Sequence, residues 1–196
     1  MMLRLVKIFF LVGLVILNTN VSAQPFANEI AAFKKLDSIS TPPKNAILFV
    51  GSSSFRMWKD VQTAFPNHVI INRGFGGSAL NDVIRYEQDI IFPYNPKQII
   101  IYCGENDIAA ADSVTAQLVL ERVKVLFSDI RRELVDVPII FVSIKPSPSR
   151  WKMRDRMIKA NDLIRKYLKK QKHAKYISVW KAMLAPDGEP MKDIFL

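Results

Sequence analysis

Short apolar stretches alternate with amphipathic stretches along this chain. Short, mainly apolar runs of the length of buried strands cover residues 46–50, 68–72, 98–102, 139–143 and 176–179, and the first of them is apolar throughout. Between them, apolar residues recur at helical spacing in residues 26–40, 55–65, 80–91, 114–134 and 150–175. This alternation predicts an α/β fold, in which a parallel sheet of about five strands lies between helices on both faces.

The N-terminus has the pattern of a secretory signal. Arg4 and Lys7 precede an apolar run over residues 8–17, and Val21-Ser22-Ala23 follows as a small-residue cleavage site. The apolar run is short for a membrane span, which needs about 20 residues, so an uncleaved anchor is the weaker interpretation. We therefore predict that residues 1–23 are a signal peptide, that residues 24–196 form one domain, and that the protein is exported to the periplasm or beyond the cell.

The charge of the chain indicates which binding partners to expect, and its cysteine content shows whether a disulfide can form. The net charge is +10, and many of the basic residues lie in the amphipathic segment 150–175. Such a basic helix face is either simply solvated or attracted to an anionic surface. The chain carries no nucleic-acid-binding motif, so we expect no nucleic-acid partner. The single cysteine, Cys103, excludes an internal disulfide and ends an apolar strand, which is typical of a buried thiol.

Polar loops follow three of the predicted strands. They read Gly51-Ser52-Ser53-Ser54, Gly74-Phe75-Gly76-Gly77-Ser78 and Gly104-Glu105-Asn106-Asp107. The carboxyl ends of parallel strands meet at one edge of a sheet, where ligands bind. The loops would place a hydroxyl (Ser53), a backbone N–H (Gly77) and a carboxamide (Asn106) there, as attack on an ester carbonyl requires. Taken singly, each residue also suits a helix cap or a turn.

Together these motifs resemble those of the GDSL family of SGNH hydrolases, including its exported bacterial esterases and the platelet-activating-factor acetylhydrolases. The resemblance implies a three-layer αβα sandwich with a flavodoxin-like sheet, ester hydrolysis, and neither cofactor nor metal. It assigns Ser53 as the nucleophile, with Gly77 and Asn106 in the oxyanion hole. Ser52 stands where the family has an aspartate, and Asp107 is expected to be a helix cap or scaffold residue.

A catalytic base is missing from this pattern. In the family, the resemblance implies, an Asp-x-x-His block follows a stretch similar to residues 192–196, so we expect the chain to lack that block. The two histidines, His68 and His173, are predicted at the opposite edge of the sheet. Two interpretations follow: a clipped version of a complete enzyme, or a natural short form that binds its ligand without turnover.

The sequence thus predicts a serine esterase for a small-molecule, glycan or lipid ester, with a short acyl group such as acetyl on a carbohydrate as the first expectation. A lysophospholipase or thioesterase of the same family is an alternative, and a non-catalytic scaffold that binds acyl groups or glycans is another. Trp151, in the loop after the fourth strand, is either a sugar-stacking residue or part of the core. The oligomeric state is not defined by the sequence.

Overall fold

A five-stranded parallel sheet forms the centre of the computed structural model, which describes residues 24–195. The predicted signal peptide lies outside the described residues. The strands are β1 (Ile47–Gly51), β2 (Ile70–Gly74), β3 (Gln98–Tyr102), β4 (Ile139–Val142) and β5 (Ala174–Ile177). Their spatial order is β2-β1-β3-β4-β5, and every pairing is parallel. This is the flavodoxin-like order, so the predicted α/β fold is confirmed.

Helices connect successive strands. They are α1 (Ala27–Ile39), α2 (Ser53–Met57), α3 (Val61–Ala64), α4 (Leu80–Arg85), α5 (Glu87–Ile90), α6 (Glu105–Ala110), α7 (Ala116–Glu133) and α8 (Arg154–Leu168). Four 3-10 turns add Phe92–Tyr94, Pro148–Met153, Lys181–Met183 and Lys192–Ile194. Within the part of the chain that the structure describes, no helix has both the length and the hydropathy of a membrane span.

Alternate residues of the central strands pack into two separate clusters. On one face, Leu48, Val50, Ile99 and Ile101 are fully buried in the larger cluster, against residues of α7 and α8 among others. Because side chains of a strand alternate between faces, their neighbours point the other way. There they form the smaller cluster with Phe55 of α2, Val61 of α3 and the nearby Trp58 and Phe65.

The second face is thinly covered toward β5. Helices α2 and α3 contact β1 and β2, whereas Ile100 of β3 and Val142 of β4 are only half-buried. Ile177 of β5 is 46% exposed. The apolar strand sequences predict burial on both faces of the sheet. The structure buries the face of the larger cluster more completely than the face of the smaller cluster.

Several element boundaries differ from those predicted. The helix expected over residues 55–65 is two short helices, because the Asn72 side chain donates hydrogen bonds to the carbonyls of Phe55 (2.7 Å) and Trp58 (3.4 Å) and so uses the last carbonyls of α2. The helix expected over 80–91 is interrupted at Tyr86, whose φ is −106°. Strands β2 and β5 are displaced by two residues from the predicted runs, and helix α6 was not predicted.

Candidate active site

The turn between β1 and α2 presents the three consecutive serines. Gly51 has a φ of +137°, and a Cβ at this position would lie 1.9 Å from the carbonyl oxygen of Tyr102. Glycine is therefore required, since no side chain fits between the ends of β1 and β3. The N–H of Ser52 donates to the same Tyr102 carbonyl at 3.0 Å, which holds the turn against the end of β3.

The three serines differ in what they face. Ser52 is 3% exposed, whereas Ser53 and Ser54 line a cavity of about 610 Å³. Lys145 Nζ lies 3.2 Å from Ser54 Oγ and donates to it. Within residues 24–195, the Ser53 hydroxyl makes no hydrogen bond. Ser53 is thus the serine that is both open to the cavity and free of a protein partner among the described residues.

Asn106 joins the loops that follow β1, β2 and β3. Gly104 (φ +118°) turns the chain into α6, which presents Asn106 on its first turn. Asn106 Nδ2 donates to Ser52 Oγ at 2.6 Å and to the carbonyl oxygen of Ser78 at 2.9 Å. Both amide hydrogens are engaged in this structure. A role in binding an oxyanion therefore requires that the hydrogen now donated to Ser52 be shared with the substrate oxygen.

Gly77 lies in the loop after β2, beside Ser78. Its φ is +81°, and a Cβ there would meet only Phe26, at 3.9 Å, so conformation rather than space favours glycine. The Ser78 hydroxyl is buried and shares its one proton between the carbonyls of Phe75 (3.1 Å) and Gly51 (3.2 Å). The contact with Gly51 ties the loop to the end of β1.

The structure therefore brings Ser53, Gly77 and Asn106 to one edge of the sheet. The contacts that hold the three loops together involve the neighbouring residues Ser52 and Ser78. The backbone N–H groups of Ser53 and Gly77 donate no hydrogen bond to another residue in the range 24–195. Backbone N–H groups without a partner are the kind of donor that a tetrahedral oxyanion needs, and the Asn106 amide adds one more only when it shares the hydrogen now donated to Ser52.

Asp107 is a scaffold residue, as expected, although it caps a helix other than its own. Its side chain is fully buried, with Oδ2 accepting from the N–H of Leu80 at the start of α4 (2.9 Å) and Oδ1 from Arg122 Nη1 (2.6 Å). Burial raises the pKa of Asp107, and the hydrogen bond from Arg122 opposes that shift. Asp107 therefore links α4, α6 and α7 beneath the site.

A cationic network lines the same cavity, and sequence analysis missed it. Lys145 Nζ lies 2.8 Å from Glu105 Oε2 and 3.2 Å from the hydroxyl of Tyr102. Arg150 Nη1 lies 3.3 Å from Glu105 Oε1. Burial raises the pKa of Tyr102 well above its usual value, so the phenol stays protonated and donates to Glu105 at 2.8 Å. The available signal was that Glu105 and Lys145 both follow strands at this edge.

A buried asparagine positions the segment that carries Lys145 and Arg150. Asn161 of α8 accepts from the N–H of Ile144 and donates to its carbonyl, both at 2.9 Å. Ile144 lies two residues after the end of β4, and Lys145 follows it. The paired hydrogen bonds therefore hold the backbone of this segment against α8.

Neither histidine lies at this edge. The carbonyl of His68 accepts from Gln62 Nε2 two residues before β2 begins, and the carbonyl of His173 accepts from the N–H of Ile139 at the start of β4. His173 Nε2 lies 3.7 Å from Asp136 Oδ1, and its side chain is half exposed. Both occupy the amino ends of the strands, opposite Ser53, as the sequence predicted.

Other reactive groups are absent from this edge or inaccessible there. Cys103 is 1% exposed, and burial raises the pKa of its thiol well above the usual range, which agrees with the predicted structural role. Among residues 24–195, no three side chains of His, Cys, Asp or Glu are grouped so that they could hold a metal ion.

Solved structures with the same fold were identified by comparison. A protein from Streptococcus pneumonia described as a platelet activating factor superimposes with a TM-score of 0.73 and 19% identity, covering 86% of this chain and 82% of that one. A GDSL-like lipase from Bacteroides thetaiotaomicron gives a TM-score of 0.67 and 16% identity, covering 85% of each chain. An acetyl-xylooligosaccharide esterase from Geobacillus Stearmophilus gives 0.56 and 13%, covering 76% of this chain and 89% of that one.

These identities establish a shared fold. No curated protein sequence matches this chain. A family model does match, over residues 37–195, and its family is that of the GDSL-like lipases and acylhydrolases. Since the match covers most of the chain and includes all three polar loops, the protein belongs to the GDSL-like lipase/acylhydrolase family of ester hydrolases.

Proposed function

We propose that this protein is a serine esterase in which Ser53 attacks the acyl carbonyl of a carboxylic ester. The observation that carries the proposal is the position of Ser53: it lines the 610 Å³ cavity, has no side-chain partner within residues 24–195, and follows the buried Ser52 that contacts Asn106. Neither of its neighbours suits the role, because Ser52 is buried and Ser54 accepts from Lys145.

The oxyanion would be bound by the N–H groups of Ser53 and Gly77 and by the side chain of Asn106. One such donor lowers the barrier by about 3 kcal/mol in acyl transfer. A serine hydroxyl also needs a general base. Residues 24–195 place no imidazole beside Ser53, so we assign the base to none of the described residues. Lys145 is a poor substitute, since its ammonium is paired with Glu105 and has no lone pair with which to accept a proton.

For the substrate, we propose a short acyl ester, with acetyl on a carbohydrate as the first choice and a lysophospholipid or thioester as the alternative. The fold neighbours include an acetyl esterase and an acetyl-xylooligosaccharide esterase, which favours acetyl. Trp151 stacks on Trp180 with ring centroids 6.0 Å apart, so one face of its indole is already covered. The half-buried Trp58, which lines the cavity, is the better candidate for contact with a sugar ring.

A second candidate function is binding without turnover. It is favoured by the position of both histidines at the opposite edge of the sheet. In this case the same cavity would hold an acyl group or a glycan, and Ser53 would remain unreactive.

We further propose export through residues 1–23 and contact with an anionic surface through α8. The buried residues of α8 include Met157, Ala160 and Ile164, and its exposed basic residues are Arg154, Lys159, Arg165 and Lys166, whereas Arg156 bonds the segment before α7.

Labelling with a fluorophosphonate, which reacts with activated serines, separates the two functions. The esterase function predicts labelling at Ser53, identified by peptide mass spectrometry, and loss of labelling in Ser53→Ala. Ser54→Ala is the matched control and should keep the label. Labelling that persists in Ser53→Ala would refute the assigned nucleophile, and a folded protein that is never labelled would favour the binding function.

A further inference from the structure

The cavity beside Ser53 carries more positive than negative charge. Its charged lining residues are Glu105, Lys145 and Arg150, one carboxylate against two cations. All three side chains are substantially buried, at 8%, 18% and 30% exposure respectively. Because water screens buried charges poorly, this excess of one positive charge acts on whatever occupies the cavity.

The two cations are used differently. The Lys145 ammonium has three N–H donors, and the structure supplies three acceptors: Glu105 Oε2, the hydroxyl of Tyr102 and Ser54 Oγ, at 2.8, 3.2 and 3.2 Å. Lys145 is therefore satisfied by the protein. The Arg150 guanidinium has five N–H donors. Among the described residues its side chain has one ion-pair contact, to Glu105 at 3.3 Å, which leaves most of its donors for a ligand.

The remaining walls are largely apolar. They are formed by Phe55, Met57, Trp58, Val142, Val179, Met183, Ile194 and Phe195. A ligand that satisfies this cavity combines an apolar part with an anionic group. A guanidinium binds carboxylate and phosphate through paired hydrogen bonds, which adds orientation as well as charge.

We propose that the esters taken by this cavity carry an anionic group, carboxylate or phosphate, and that Arg150 binds that group while Ser53 faces the ester. The proposal rests on the esterase function above and specifies its substrate class. Lys145 then acts as the residue that neutralises and positions Glu105, so that the carboxylate does not repel the ligand.

Binding by the full chain tests this proposal without requiring turnover. Octanoate and octanamide have the same length and shape but differ by one negative charge. Titration calorimetry of each should give at least about tenfold tighter binding of octanoate, as expected for charge-assisted hydrogen bonds. Octyl phosphate in a parallel titration distinguishes phosphate from carboxylate as the preferred group.

Substitutions in the cationic network test which of its residues causes the preference for octanoate over octanamide. Arg150→Gln should abolish the preference for octanoate over octanamide, and Arg150→Lys should retain part of it. Arg85→Gln, which makes the same charge change at an exposed position paired with Asp82, should keep the wild-type ratio. Glu105→Gln should increase the ratio, because it removes the competing carboxylate, and so supplies a gain-of-affinity test that a folding defect cannot imitate.

Two outcomes overturn the proposal. One is equal affinity for octanoate and octanamide in the wild-type protein. The other is a preference that survives in Arg150→Gln; its loss in Asn106→Ala would then place the anion in the oxyanion site. The binding ratio is measured on the wild-type protein and does not depend on a reaction at Ser53, so an unreactive Ser53 in the labelling experiment refutes the esterase function without obscuring this result.

Discussion

The side-chain amide of Asn106 donates a 2.6 Å hydrogen bond to the buried hydroxyl of Ser52. Ser52 stands at the position where the family resemblance places an aspartate, and either side chain can accept this bond. The contact holds the loop after β3 against the loop after β1. The residue that precedes the proposed nucleophile thus orients the proposed oxyanion donor.

Replacing Ser52 with alanine should destabilise the protein by about 1–2 kcal/mol, because Asn106 Nδ2 then loses one acceptor in a buried site. Thermal unfolding should show a midpoint lower by about 2–4 °C per kcal/mol for a chain of this size. Ser113→Ala, an exposed change, is the control and should leave the midpoint unchanged. An unaltered midpoint in Ser52→Ala would show that Asn106 is held by Ser78 alone.

Two glycines with positive φ should respond very differently to substitution. Gly51→Ala forces a Cβ to within 1.9 Å of the Tyr102 carbonyl, so β1 and β3 must separate. We expect a loss of about 4 kcal/mol or more, or no folded protein. Gly188 has a φ of +84° and no atom within 4 Å of such a Cβ, so Gly188→Ala should cost only the backbone strain, about 1–2 kcal/mol. Urea denaturation of both variants measures the difference, and similar costs would contradict the close approach at Gly51.

Glu87 should make stability fall as pH rises toward neutrality. Burial raises its pKa from about 4.5 to about 7, with Asp129 and Glu133 adding to the shift and Arg132 opposing it, and Oε2 has no hydrogen-bond partner among residues 24–195. Between these two pKa values the folded state binds the proton that the unfolded state has released, so the free energy of unfolding decreases with pH.

The corresponding experiment compares Glu87→Gln with the wild-type protein across this range. The variant should gain stability relative to wild type between pH 5 and pH 8 in urea denaturation. The exposed change Glu189→Gln is the control and should run parallel to wild type. A difference between Glu87→Gln and wild type that does not vary with pH would exclude the shifted carboxyl.

Asn161 should be intolerant of aspartate. Its amide group bonds both the N–H and the carbonyl of Ile144, at 2.9 Å each, and aspartate would face that carbonyl with an oxygen. We expect Asn161→Asp to cost about 1–3 kcal/mol at pH 7, from a buried acceptor left without a donor. The adjacent surface change Asp162→Asn should cost less than 1 kcal/mol, since it removes one exposed pair with Arg165. Equal losses in the two variants would show that the amide pair contributes no more than the exposed ion pair.

Local patterns were sufficient for the strands and for the longest helix. Strand β3 matches the predicted run at both ends, and α7 differs from its prediction by two residues at the start and one at the end. In contrast, the expected helix over 55–65 is divided by the side chain of Asn72, which is distant in sequence. A contact of that kind leaves no periodic signal in the segment that it alters.

In the candidate site, too, some features follow from the local sequence and others only from tertiary contacts. The position of Ser53, Gly77 and Asn106 at one edge of the sheet could be predicted because each lies in a loop directly after a strand, whereas their roles rest on the family resemblance. The cationic network was missed although Glu105 and Lys145 both follow strands at this edge, because the contacts among Glu105, Lys145 and Arg150 form only when β3 and β4 pair and bring their ends together.

The sequence by itself determined the α/β class, the edge of the sheet where the polar loops meet and the family to which the chain belongs. These depend on periodicity and on short motifs, which are local properties of a chain. The tertiary structure alone decided which of the serines that line the cavity has no side-chain partner among the described residues, what Asn106 bonds, and which cation is left for a ligand. Those depend on distances of a few ångströms between residues of different strands and helices, and packing sets such distances.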